Sequence, residues 1–229
     1  MNTSNLTKYL AIGLAFAGTA HAYVLIDHFD SPTLGQDVAI NNGNVGNSDS
    51  QQQTGLGDVA GGARNIYIKI LACNPGTSQV SASANSSLSP HYFKFSNDID
   101  SQSTCTITWD GFGGPQMNLD LSAETGMMLF SAHNDLAATY TMTLETVGTG
   151  VSTGIITAPS AFNGYLQFPW SAFAGSADLS NIDNITLTID GGSGLDVRID
   201  AIGTIPEPST AGLAMLGIGA FGLARRRRN

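Results

Sequence analysis

The sequence predicts an all-β fold: a single jelly-roll-like β-sandwich over residues 23–204, set between two terminal segments of different character. Three observations predict it. Apolar and polar residues alternate with period two in many short runs, as in Ile185-Thr186-Leu187-Thr188-Ile189-Asp190, which sends apolar side chains to one face of a strand and polar ones to the other. Helical periodicity is almost absent between the ends. Clusters of Gly, Asn, Asp and Pro separate the runs, and Gly alone makes up 27 of 229 residues. Eight or more short strands at this spacing are the pattern of a sandwich or jelly roll.

In chain order, the first element is residues 1–22. Lys8 supplies a positive start, Leu10 to Gly18 a short apolar core, and Ala20-His21-Ala22 the small-x-small cleavage pattern, so a secretory signal peptide cut after Ala22 is expected. Strands are then expected at 23–29, 65–72, 91–95, 104–109, 116–121, 127–131, 139–147, 165–170, 185–190 and 196–202. Residues 41–62, polar and rich in Gly and Gln, read as a long surface loop. Gly191-Gly192-Ser193-Gly194 reads as a flexible hairpin joining the last two strands.

The final element is residues 205–229. Pro206-Glu207-Pro208 precedes sixteen uncharged residues, Ser209 to Ala224, and then Arg225, Arg226, Arg227 and Arg228. At about 1.5 Å per residue that stretch would span roughly 24 Å as a transmembrane helix, short of the roughly 30 Å bilayer core. Its four glycines weaken it further. The arginines would stay cytoplasmic and leave the body outside. A short apolar sorting helix after a rigid Pro-Glu-Pro suits a segment held briefly in the inner membrane and then removed.

These residues resemble the C-terminal signal of the PEP-CTERM family of exported bacterial proteins, in order and spacing. The resemblance implies recognition and cleavage by exosortase, a membrane-embedded cysteine transpeptidase. It also implies delivery to the surface or biofilm exopolysaccharide matrix of a Gram-negative bacterium. It implies no activity.

The charge agrees with export. The chain carries −9 overall, but the body, 23–205, holds Arg64, Lys69, Lys94 and Arg198 against 17 acidic residues, a net −13. Such a surface excludes nucleic-acid binding, which needs clustered Lys and Arg. Cys73 and Cys105 are the only cysteines, and an even count in an oxidising compartment leads to the expectation of a disulfide between them. No Gly-x-Ser-x-Gly elbow, His-Glu-x-x-His pair or P-loop occurs, and Gly55-Leu56-Gly57-Asp58 lacks the strand and helix of a dinucleotide site. A non-catalytic protein is expected.

Within the body, Ile26-Asp27-His28-Phe29-Asp30, Phe168-Pro169-Trp170-Ser171-Ala172-Phe173 and Val197-Arg198-Ile199-Asp200 resemble segments of galactose-binding-like jelly rolls, a superfamily with many carbohydrate-binding modules. Gly61-Gly62-Ala63-Arg64 resembles a stretch common in PEP-CTERM proteins, without a known role. The resemblance implies first and last strands close in space. Asp27, Asp30, Asp196 and Asp200 are therefore candidate ligands of a structural Ca2+, against the alternative of a solvated face on which Arg198 pairs with an aspartate. Sugar binding would use exposed aromatics. Trp109 and Trp170 read as packing residues. Tyr67, Tyr92, Tyr140, Tyr165, Phe112 and Phe162 fall outside obvious core runs, and Phe112, in a loop, is the ligand-binding candidate. The leading expectation is an exported matrix protein contacting exopolysaccharide; the alternative is a structural or adhesion protein acting through protein contacts.

Overall fold

The computed structural model describes residues 23–30, 35–85, 91–111 and 117–207. These residues form fifteen strands: β1 (Leu25–Asp27), β2 (Gln36–Gly43), β3 (Ser48–Thr54), β4 (Ala63–Cys73), β5 (Ser78–Ala84), β6 (Phe93–Asn97), β7 (Ser101–Trp109), β8 (Glu124–Asn134), β9 (Ala138–Thr146), β10 (Gly150–Ala158), β11 (Phe162–Pro169), β12 (Phe173–Gly175), β13 (Asn184–Gly191), β14 (Asp196–Ile199) and β15 (Ala201–Pro206). Two single-turn 3-10 helices, at Ala60–Gly62 and Trp170–Ala172, are the helical elements among them.

The strands make two antiparallel sheets. One has eight strands in the order β1-β15-β8-β14-β6-β5-β2, with β11 also paired to β8; the other has seven, in the order β12-β10-β9-β13-β7-β4-β3. Their inner faces enclose one core. Ile66, Ile68 and Ile70 of β4, Ile107 and Trp109 of β7, Tyr140, Met142 and Leu144 of β9, and Ile185, Leu187 and Ile189 of β13 face Phe93, Phe95, Leu129, Phe168, Val197 and Ile199 of the other sheet, all buried. Tyr23–Ile205 is a compact unit with its own core; Pro206 and Glu207 fall in a separate terminal unit. Among the described residues no helix is long and apolar enough to cross a membrane; 1–22 and 208–229, with Ala20, Ala22, Pro208 and the four arginines, lie outside them.

The predicted loop at 41–62 needs correction, because it contains the end of β2 and the whole of β3. β3, Ser48–Thr54, pairs residue for residue with β4, yet almost every position is exposed. It is an edge strand, so neither alternation nor an apolar face marks it. Its side chains serve as the missing partners of the neighbouring edge: Gln51 Oε1 accepts from the Asp37 amide at 3.0 Å and Asp49 Oδ2 from the Ala39 amide at 3.3 Å. Edge strands closed in this way resist pairing with other chains. Two further corrections concern turns. Residues 117–121 form no strand beyond a single bridge of Leu119 to Ile182, and the glycine run at 191–194 carries the chain from one sheet to the other rather than closing a hairpin.

Candidate functional site

The Gly61-Gly62-Ala63-Arg64 stretch, left without a role by the sequence, meets the candidate Ca2+ ligand Asp27 at one buried centre. Arg64 is fully buried. Its Nη1 donates to both Asp27 oxygens at 2.9 and 2.8 Å, its Nε to Gln36 at 2.9 Å and its Nη2 to Gln53 at 3.4 Å. Its guanidinium lies 5.2 Å from the Phe29 ring centroid. Asp27 also accepts from Trp109 Nε1 and the Phe29 amide, both at 2.8 Å. Burial pushes the Asp27 carboxyl above its ordinary range, opposed by the Arg64 charge and these hydrogen bonds. Asp27 belongs to one sheet and Arg64 to the other, so the pair ties the sandwich together. Gly61 and Gly62, at φ 72° and 73°, turn the chain into β4 ahead of Arg64; a Cβ at Gly61 would meet the Gly111 backbone at 2.8 Å.

The arrangement suited to a ligand lies on the outer face of the eight-stranded sheet. Directly paired residues form a polar row across six strands: Asp37, Ser83, Lys94, Arg198, His133 and Asn163. At about 4.8 Å per strand the row spans roughly 24 Å. Its far end opens into a cavity of about 400 Å3 lined by Ser131, His133, Asn163, Arg198 and Asp200. Arg198 donates Nε and Nη2 to Asp200 Oδ1 at 3.2 and 3.1 Å, and its guanidinium lies 4.1 Å from the Tyr92 ring centroid.

Aromatic residues neighbour the lining of this cavity along the chain: Phe130 precedes Ser131, and its carbonyl accepts from the Asp200 amide at 3.1 Å. Phe130 sits between Tyr23, at 5.4 Å, and Tyr165, at 6.1 Å and edge-on; Tyr165 is 63% exposed and Tyr23 49%. A β-bulge makes this possible. Tyr165 stands against two residues, Phe130 and Ser131, between the Leu166–Leu129 and Gly164–Ala132 pairs. Ser131 takes the left-handed conformation, φ 48°. The extra residue lets Phe130, Ser131 and His133 all face outward while Leu129 and Ala132 stay in the core. Gly203 leaves the room the rings need, since a Cβ there would lie 3.2 Å from both Phe130 and Tyr23.

The sequence-predicted residues fare unevenly. The Cys73–Cys105 disulfide is not formed: both thiols are free. Cys105 pairs with Ile68 and Cys73 with Ser101 on the same two strands, and five residues of strand separate them by roughly 16 Å, far beyond disulfide reach. Burial pushes the Cys105 thiol well above its ordinary pKa. The four aspartates are not brought together. Asp27 is closed off by Arg64; Asp30 bonds His28 and His91 at 2.7 and 2.8 Å; Asp196 bonds Ser96; Asp200 pairs with Arg198. No group of three His, Cys, Asp or Glu side chains suited to a metal occurs among the described residues. Trp109 is a core residue, and half-buried Trp170 bonds the Glu124 carbonyl at 2.6 Å and packs on Phe173. Tyr140 is core as well. Phe112 lies outside the described residues. Tyr23 and Phe130 carried no sequence signal, because the bulge that exposes Phe130 is invisible in the alternation.

No curated protein sequence matches the chain. The fold is similar to the family 11 carbohydrate-binding module of a cellulosomal cellulase of Clostridium thermocellum, with 14% identity, 82% of this chain and 96% of that chain covered, and a TM-score of 0.39. It is also similar to the module TmCBM61 in complex with β-1,4-galactotriose, with 14% identity, 61% and 82% coverage, and a TM-score of 0.35. An exo-β-agarase, of which it spans 26%, matches 83% of this chain at 14% identity with a TM-score of 0.41. Over residues 204–228 the chain carries the PEP-CTERM protein-sorting motif, the C-terminal signal of an exported protein.

Proposed function

We propose that this is a non-catalytic polysaccharide-binding protein of the cell surface or extracellular matrix, holding its ligand on the outer face of the eight-stranded sheet. Its signal peptide is removed after Ala22, and exosortase processes the tail carrying Pro206, Glu207 and Pro208. The observation that carries the reading is the junction of the Tyr23–Phe130–Tyr165 rings with the polar cavity at Arg198 and Asp200. Aromatic faces stack on the C–H faces of sugar rings, and a few convergent polar groups orient the hydroxyls. Arg198 donates, Asp200 accepts, and Asn163 does both, which matches hydroxyls that also do both. The long row suits an extended chain crossing the strands.

Native affinity electrophoresis of the full chain through gels containing dissolved polysaccharides tests this. Retardation by at least one polymer is expected, together with its weakening, about tenfold, in Tyr165→Ala. A chain that no polymer slows, or a Tyr165→Ala variant slowed as strongly as the parent, defeats the proposal. The threonine-rich face of the other sheet favours a second reading, in which protein contacts are the function. Sedimentation showing self-association without polysaccharide binding would support it.

A further inference from the structure

The polar row holds a pairing that works against the stability of the sheet. Lys94 and Arg198 stand directly opposite each other where β6 pairs with β14, both exposed. Like charges in directly opposed positions destabilise a sheet. Chance does not account well for the arrangement, since the body has only four cations against 17 acidic residues. Of the other two, Arg64 is sealed in the core and Lys69 lies on the other sheet. Half of the body's cations therefore sit at one spot in the middle of the proposed binding face.

Their charges are only partly met. Arg198 gives two donors to a single oxygen of Asp200, and Tyr92 beneath the guanidinium holds it in place. Lys94 makes no ion pair among the described residues. His133 follows next in the row, opposite Arg198. Of the two carboxylates that flank Arg198 on this face, Asp196 accepts from Ser96 and Asp200 from Arg198, so Lys94 is left with donors to offer, which suits an acceptor-only carboxylate.

We infer that the ligand is an acidic polysaccharide, a chain bearing uronic-type carboxylates, with one carboxylate seated between Lys94 and Arg198 and a neighbouring sugar ring against Tyr165. This rests on the sheet face being the polysaccharide site proposed above and adds the class of sugar. At −13 the body offers no general attraction to polyanions, so recognition depends on these two side chains, and a single substitution suffices to remove it.

The test is affinity electrophoresis of the full chain in polygalacturonate and in the same polymer after reduction of its carboxyl groups to primary alcohols. The parent is expected to bind the acidic form about tenfold more tightly. Lys94→Gln and Arg198→Gln should each abolish that preference, and Tyr165→Ala should weaken binding of both polymers. Lys94→Gln should also raise the melting temperature of the free protein, because it removes a like-charge pair; a fall overturns that argument. Equal binding of the two polymers, weakened in Tyr165→Ala, defeats the acidic class and leaves the binding face standing. Binding of neither polymer defeats both.

Discussion

Across β7, β13, β9 and β10 the outer face of the seven-stranded sheet is a regular tiling, its register shifting only where β4 joins β7, between Ile70 and Ala72, whereas the outer face of the eight-stranded sheet is broken and mixed. On the first, ten threonines occupy paired outward positions of four adjacent strands: 104, 106 and 108 on β7, 186 and 188 on β13, 139, 141 and 143 on β9, and 153 and 157 on β10. Their hydroxyls meet across strands, Thr106 with Thr188 and Thr139 with Thr157, both at 3.3 Å. β7 and β9 alternate without interruption. On the second face, the bulge at Ser131 disturbs the alternation, two cations oppose each other, and exposed aromatics neighbour the lining of a cavity. The first face uses residues that fit a pleated surface well. The second tolerates a left-handed serine and a like-charge pair, and such costs persist where they serve recognition. Regularity marks one face, and irregularity the face proposed to bind polysaccharide.

Arg64 supports both faces, so the largest effect comes from its removal. Arg64→Ala leaves the Asp27 carboxylate buried without its cation, which costs about 3–5 kcal/mol out of a total stability of about 5–15 kcal/mol. Urea unfolding should show it, and the double variant Asp27→Leu/Arg64→Met should recover much of the loss. A single-variant cost below about 1 kcal/mol would mean that the sheets are not tied there.

The two faces should then separate. Tyr165→Ala is expected to weaken polysaccharide retention about tenfold, about 1.4 kcal/mol, with little change in stability because the ring is already exposed. Thr188→Ala should do the opposite, lowering stability by about 0.2–1 kcal/mol while retention is unchanged. If Thr188→Ala weakens retention, the assignment of roles to the faces is inverted. Under the tiled face, Cys105 gives an independent readout: thiol titration of the native chain should count one reactive thiol, half-buried Cys73, and a second only on unfolding. A count of zero in both states means a disulfide.

How legible each face was in the sequence follows from the same contrast. β9 and β13 could be read directly, since Tyr140, Met142 and Leu144, or Ile185, Leu187 and Ile189, alternate with threonines that face water. The C-terminal motif is contiguous and equally plain. β3 was hidden because Ser48–Thr54 is polar on both sides, its pairing supplied by β4 and its free edge engaged by side chains. β5 was hidden because Ser81, Ala82, Ser83 and Ala84 are too small to give an alternating signal. The candidate site draws Phe130, Asn163 and Arg198 from three distant strands and Tyr92 from the turn ahead of β6, and only the sheet order makes them neighbours. The aspartates at the chain ends looked like a metal set because their spacing in sequence says nothing of Arg64, which claims Asp27.

The smallest expected change, that of Ser131→Gly, serves as the control in a pair of substitutions that isolates the bulge itself. Ser131 holds φ 48°, a conformation that glycine adopts without strain and β-branched residues resist. Ser131→Gly relieves that strain but gains freedom in the unfolded chain, so the net change in stability should stay within about 0.5 kcal/mol and polysaccharide retention should be kept. Ser131→Val places a branched side chain in the left-handed region, at a cost of about 1–2 kcal/mol, and fills the cavity lined by His133, Asn163 and Arg198. Retention should fall with it. The glycine variant controls for loss of the hydroxyl, so the pair separates backbone shape from side-chain chemistry. If valine is accepted with stability and retention intact, the bulge does not distinguish the proposed binding face from the tiled one.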